Sequence, residues 1–393
     1  MPDLSTENEV LETTPSGPGN NILRFPNDSC PLDLEAEFVG NLIYAWSSVN
    51  KSPQLSILVD CGTGESVIDP RAAVEIRGTR SEDKTGTSFG GFVEGAALEL
   101  ACTPRHLELK SQASALLSME SVNVQTGRKT DGAFGSNWFT RFFITMDYEK
   151  QKVQLQPFAV PLETSGEAVQ LELEGGIPFV RATLEAKDGS RISTRFMIRS
   201  GIADAIILNE GFLKSHRQLV EEYGPFPYGT GDRRSVQRGQ TRLAGIEIGS
   251  FRMAEPLAAV RDQKYWRYHN VAGFIGAGIL SRFKVIWDYS TPCVRLTANS
   301  NFSAPFPADA SGLHLLARPL NLETISVAAV RRNSPADLVS LKTGDVIAAI
   351  DGRKKLPLWE VREHLQKSGV TVELSVLRGN QEFTVALPLV PWI

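Results

Sequence analysis

The chain has 393 residues, 42% hydrophobic and 22% charged, an ordinary globular composition for two or three domains. A formal net charge of −4 argues against nucleic acid or an anionic membrane as partner. The four cysteines, Cys30, Cys61, Cys102 and Cys293, lack zinc-site spacing and are too few for a disulfide framework, and the five histidines include no H-x-x-x-H pair, so no metal or cofactor is expected.

The first ten residues are acidic and polar, with neither a basic nor an apolar leader region, which reads as cytoplasmic, or as periplasmic or secreted if the natural start lies upstream. No run approaches the roughly 20 apolar residues of a membrane span. Residues 1–30 are rich in Ser, Thr, Pro, Gly, Asn and Glu and read as a disordered tail. Short alternating strands follow at Leu34–Val39 and Asn41–Trp46, separated by Gly40. The apolar strand Ile57–Val59 runs into Asp60, Cys61 and Gly62. A carboxylate at the end of a buried strand, followed by a tightly turning Gly, is costly to build, which points to a carboxylate held for chemistry; the plainer reading is an Asp that caps a turn. Thr85–Val93 is glycine-dense and reads as a surface turn or a mobile flap. The segments Asp131–Phe139, Arg141–Tyr148 and Lys152–Gln156 close the unit.

The pattern then recurs. Arg282–Tyr289 (R-F-K-V-I-W-D-Y) follows Arg141–Tyr148 (R-F-F-I-T-M-D-Y) at an offset of 141 residues (282 − 141), and Gly273–Gly276 follows Gly132–Gly135 at the same offset. Thr194–Gly201 falls near where Ser56–Gly62 requires it, at an offset of 139 (201 − 62). Residues 31–158 and 159–300 therefore read as two copies of one β-rich lobe. Asp147 and Asp288 recur before Tyr on the closing strands and read as structural turn residues. A Pro-containing linker, 301–311, leads to a compact α+β module at 312–390. This module has a strand at Ile325–Val330, a short helix from Ser334, a strand ending at Asp351-Gly352, helical spacing at Leu358, Val361 and Leu365, and two strands flanking Arg378-Gly379-Asn380.

The repeated units resemble the lobes of the retropepsin/pepsin clan of aspartic peptidases. Each such lobe carries an apolar-apolar-Asp-Thr/Ser-Gly loop and, further along, an apolar-apolar-Gly turn. Leu58–Gly62 with Ala133–Gly135 match in the first copy, and Met197–Gly201 with Phe274–Gly276 match in the second. The last module resembles a PDZ domain of the bacterial protease type, on Asn333–Ala336, Leu341–Ile347 and Ile350–Gly352. The expected fold is thus mainly β: two tandem aspartic-peptidase-like lobes followed by a small α+β PDZ domain. The resemblance implies a peptide or protein substrate or ligand, taken by strand addition. It places the catalytic loops at Asp60, Cys61 and Gly62 and at Arg199, Ser200 and Gly201. In the PDZ module the carboxylate-binding loop would map loosely to Gly312, Leu313, His314 and Leu315, which read equally well as the start of an ordinary first strand. The oligomeric state is not legible.

The second copy departs from the resemblance at its central position. The clan's chemistry needs two carboxylates sharing one proton, one activating water and the other polarising the scissile carbonyl. Arg199 stands where the second Asp belongs, and Asp204 lies too far beyond Gly201 to replace it. A permanent cation about 4 Å from Asp60 would favour the carboxylate by roughly 4 kcal/mol at an effective dielectric near 20. Losing one acid–base partner costs about 10²- to 10⁴-fold in rate. The expectation is a peptide-binding pseudo-peptidase, with an active endopeptidase using Asp60 as the alternative. Cys61 replaces the hydroxyl that in this clan hydrogen-bonds across to the other lobe, a role a thiol fills poorly. As a nucleophile Cys61 would need His106, the only histidine in that lobe; a buried small thiol is the plainer reading.

Overall fold

A computed structural model describes residues 9–11, 31–49, 52–75, 79–81, 92–100, 102–103, 107–162, 165–220, 224–229, 236–262 and 270–391. Strands dominate and form four sheets. Within the segment read as a tail, Glu9–Leu11 is a strand running parallel to the Leu107–Leu116 strand; the rest of residues 1–30 lies outside the described residues, as do His106 and most of the Gly-dense stretch at Thr85–Val93.

The two lobes repeat one strand arrangement. In the first, Gly132–Phe134 lies between two strands, parallel to Leu55–Val59 and antiparallel to Val67–Ile68. In the second, Gly273–Gly276 lies parallel to Arg191–Arg199 and antiparallel to Ile206–Asn209. All three strands around the first loop are buried on both sides, with Ser56 the one polar residue among them. Gly135 ends the first central strand because a Cβ there would stand 2.5 Å from the Glu65 backbone. The repeated apolar-apolar-Gly turn thus clamps each loop from beneath.

The closing strands join the lobes. Phe142–Asp147 and Phe283–Asp288 pair antiparallel with each other, Met146 opposite Val285 and Ile144 opposite Trp287, at the centre of one seven-stranded sheet. The Trp287 indole N–H meets the Met146 sulfur at 3.4 Å. One hydrophobic core runs through both lobes, with Phe139, Phe142, Phe196, Phe283 and Trp287 fully enclosed. Asp147 accepts from the Lys150 amide, and Asp288 accepts from the Ser290 and Thr291 amides and hydroxyls, the turn roles the sequence assigned them.

Residues 301–306 are held against the second lobe, whereas Ala310 and Ser311 are bonded to the module that follows. The Arg282 guanidinium donates to the carbonyls of Asn301, Phe302, Ala304 and Pro305 and stacks on the buried Phe306. A six-stranded sheet with its own core follows. Its path runs through Leu313–Arg318, Asn321–Val330, Val346–Ile350, Thr371–Arg378 and Gln381–Pro388, with Arg353–Lys354 paired to Val346–Ile350. Helices at Pro335–Leu338 and Leu358–Leu365 complete the module. Ser334 caps the shorter helix by accepting from the Asp337 amide, with Pro335 at the first helical position.

Candidate active site at the lobe junction

The repeat brings the two loops together. Asp60 follows the Leu55–Val59 strand and is only 1% exposed; its amide donates to the Phe134 carbonyl. Arg199 ends the facing Arg191–Arg199 strand, and its guanidinium contacts the Asp60 carboxylate directly. The second loop therefore delivers its cation to the place where the resemblance implies a second carboxylate.

Every acceptor position on Asp60 is used. One oxygen accepts from the Gly62 amide at 3.0 Å and the Gly201 amide at 3.1 Å, one from each lobe. The other accepts from the Thr63 hydroxyl at 2.9 Å and from Arg199. A carboxylate offers about four lone-pair sites. Burial pushes the Asp60 carboxyl up, but the Arg199 charge and hydrogen bond, with the Gly62 and Gly201 amides, outweigh it and hold it below the usual range. Asp60 is a saturated, ionised carboxylate.

Both glycines of the loops are needed by close approach across the junction. A Cβ on Gly62 would stand 2.5 Å from Arg199 Cγ, and one on Gly201 would stand 2.6 Å from Asp60 Cβ. Each lobe thus leaves a gap into which the other lobe's charged residue fits.

The second position of each loop carries the crossing hydrogen bonds. The Ser200 hydroxyl donates to the Val59 carbonyl at 2.9 Å and accepts from the Cys61 amide at 3.0 Å. Cys61 answers with its thiol toward the Ile198 carbonyl at 3.5 Å, a longer and weaker bond. Cys61 is fully buried, and burial together with the Asp60 charge pushes its thiol up to about 12, which leaves no thiolate near neutral pH. The tyrosines that end the two closing segments, Tyr148 and Tyr289, bury their hydroxyls, and their phenols are pushed up by burial and by the loop residues. Sequence reasoning gave these tyrosines no role of their own; their recurrence at one offset in the two lobes was the available signal.

Gly312, Leu313, His314 and Leu315 lie far along the chain, at the start of the PDZ edge strand. Gly312 has φ +79°, its amide donates to Asp309, its carbonyl accepts from the Arg331 amide, and the Leu313 amide donates to the Ser311 hydroxyl. Two of the amides that would hold a peptide carboxylate are thus engaged within the loop. Burial, with Arg362 and Arg261 nearby, pushes the His314 imidazole down to about 3, so it is neutral at physiological pH. Among the described residues no group of His, Cys, Asp and Glu is arranged to hold a metal ion, and no helix is long and apolar enough to cross a membrane.

A family model described as PDZ domain matches residues 294–389. The match begins on the last strand of the second lobe, whereas the PDZ sheet itself starts at Leu313. Among solved structures, the aspartic proteinase from Irpex lacteus is similar at 11% identity over 70% of this chain and 99% of that one, with a TM-score of 0.42. Basic 7S globulin from soybean is similar at 12% identity over 70% and 98%, also at 0.42. A photosystem II D1 C-terminal processing protease matches at 24% identity over 20% of this chain and 22% of that one, with a TM-score of 0.19. No curated protein matches the chain. The fold is two-lobed and mainly β, built on the duplicated loop, the clamping Gly turn and the sheet shared between lobes. A PDZ domain follows it.

Proposed function

We propose that the protein is a pseudo-peptidase that binds extended peptide or protein ligands without cleaving them. Asp60, Cys61, Gly62, Arg199, Ser200 and Gly201 form its degenerate loop pair. One observation carries this reading: both oxygens of Asp60 are saturated by Arg199, Thr63 and the two Gly amides. A peptidase carboxylate must accept a proton from an attacking water, and its partner must donate one to the scissile carbonyl. Asp60 has no acceptor position left for that water, and Arg199 has no proton to give at any relevant pH. What persists is the frame, two lobes meeting at apposed loops. The PDZ domain adds a second peptide-binding unit, since such domains take an extended chain as an added strand.

Digestion of a denatured protein by wild type, Asp60→Asn and Arg199→Asp, followed from pH 3 to pH 7.5, tests the reading. Wild type and Asp60→Asn are expected to leave the substrate intact. Acid-optimal cleavage that emerges only in Arg199→Asp supports the reading, because that variant restores a carboxylate pair. Cleavage by wild type that disappears in Asp60→Asn overturns it and establishes an endopeptidase that works through Asp60.

A further inference from the structure

The PDZ edge strand Leu313–Arg318 pairs only with Asn321–Val330 among the described residues, so its outer side is where an added strand would bind. That side is covered. The first-lobe helix Glu120–Thr126 packs against the strand, and its Gly127 cap meets Leu358 at the start of the Leu358–Leu365 helix. Gly127 has φ +69°, and a Cβ there would stand 2.5 Å from Leu358 Cβ, so the fit leaves no room for a side chain. Arg362, on the same PDZ helix, bridges the two sides. Its guanidinium donates to the Leu315 carbonyl of the edge strand at 2.8 Å and to the Gln125 carbonyl of the lobe helix at 2.7 Å. The second bond places a cation on an end carbonyl of the lobe helix, where the helix dipole favours it.

The burial of the edge strand agrees. Leu315 and Ala317 belong to the PDZ core, whereas Leu316 points to the opposite face by strand alternation and is still only 8% exposed. The lobe helix is also tied to the junction. Asn123 exchanges hydrogen bonds with the Thr130 backbone, and Asp131 accepts from the Ser56 amide on the strand that leads to Asp60.

We infer that the PDZ groove is a self-docking surface whose occupant is the first-lobe segment 120–127, so that a strand-adding peptide binds only after this segment is released. The inference uses only the PDZ half of the function proposed above. It predicts that the resting chain is closed to PDZ ligands and that the contact is a lock between lobe 1 and the PDZ domain.

Amide hydrogen exchange on the full chain tests it, with Arg362→Ala on the PDZ side and Gly127→Ala on the lobe side. Both variants are expected to exchange residues 313–318 and 120–127 about 10-fold or more faster, while Thr371–Arg378 in the PDZ core keeps its wild-type protection. An immobilised pool of random decapeptides is then expected to capture the variants about 10-fold better than wild type. Unchanged exchange at 313–318 in both variants overturns the inference, as does measurable capture of wild type equal to that of the variants. Faster exchange without any capture supports the docking and counts against peptide binding by the PDZ domain, which separates the two readings.

Discussion

The two loops at the lobe junction share a backbone and differ in side chains. Each follows a buried strand, is clamped by an apolar-apolar-Gly turn, and ends in a glycine that makes room for the opposite lobe. The first loop then offers Asp60 and Cys61, and the second offers Arg199 and Ser200. Most of the scaffold contacts are made by amides, carbonyls and absent side chains, and the Ser200 hydroxyl makes a stronger crossing than the Cys61 thiol. The charged position is therefore free to change from an acid to a base while the junction keeps its shape. The outcome is an ion pair across a pseudo-symmetric interface, where the resemblance implies a proton-sharing pair.

The sharpest break in that comparison is Arg199→Ala. It leaves Asp60 buried with two amides and one hydroxyl but no counter-charge. Breaking a buried pair typically costs 3–5 kcal/mol; because the Arg199 side chain is 24% exposed, a loss of about 2–4 kcal/mol is expected. The urea midpoint at constant slope measures it, and a loss below about 0.5 kcal/mol would show that the pair contributes little. The pH dependence has a definite sign. Asp60 is held below the ordinary carboxylate range when folded, so its stabilising contribution is complete above the unfolded pKa of about 4 and drains away as the pH falls below that value. Wild type should therefore lose this increment of stability on acidification, and Asp60→Asn should lack it. Denaturation midpoints at pH 6 and pH 3 compare the two chains.

Ser200→Ala is the next largest change. It removes both crossing bonds of the hydroxyl and strands the buried Cys61 amide, for an expected cost of about 1–3 kcal/mol. Thermal unfolding of the full chain reads it. A neutral result would mean that the hydroxyl's crossing bonds add little beside the Asp60–Arg199 pair and the sheet shared between the lobes.

Much of this architecture was legible in the sequence because the duplication is legible. Arg282–Tyr289 repeats Arg141–Tyr148 closely enough to reveal the second lobe, and in the fold these two segments pair with each other in one sheet. The Asp60–Arg199 meeting follows from the same register. The saturation of Asp60 was not legible. Thr63 and the Gly201 amide reach it by loop geometry, which no periodicity encodes. The linker reading of 301–311 understated the segment: its prolines read as punctuation, whereas Arg282 and Phe306 fasten it to the second lobe. The helix Glu120–Thr126 also escaped notice. It spans only seven residues, none of them buried, and it matters through its contact with a domain more than two hundred residues away.

The smallest expected effect lies on the thiol side of the junction, and it separates a structural Cys61 from a reactive one. Cys61→Ser would give the first loop the same hydroxyl as the second, replacing a 3.5 Å thiol contact with a shorter bond to the Ile198 carbonyl. Such sulfur bonds are worth only about 0.5–1 kcal/mol, so stability should change by less than about 1 kcal/mol in either direction. Chemical reactivity gives a cleaner answer. With its thiol pushed up to about 12 and no exposed surface, Cys61 should resist iodoacetamide in the folded chain at pH 8 and react once urea unfolds it. Mass spectrometry of the labelled peptide decides between the two. Labelling of folded Cys61 at the rate of a free thiol would show that the junction opens to solvent, and the asymmetry between the loops would then be one of reactivity as well as charge.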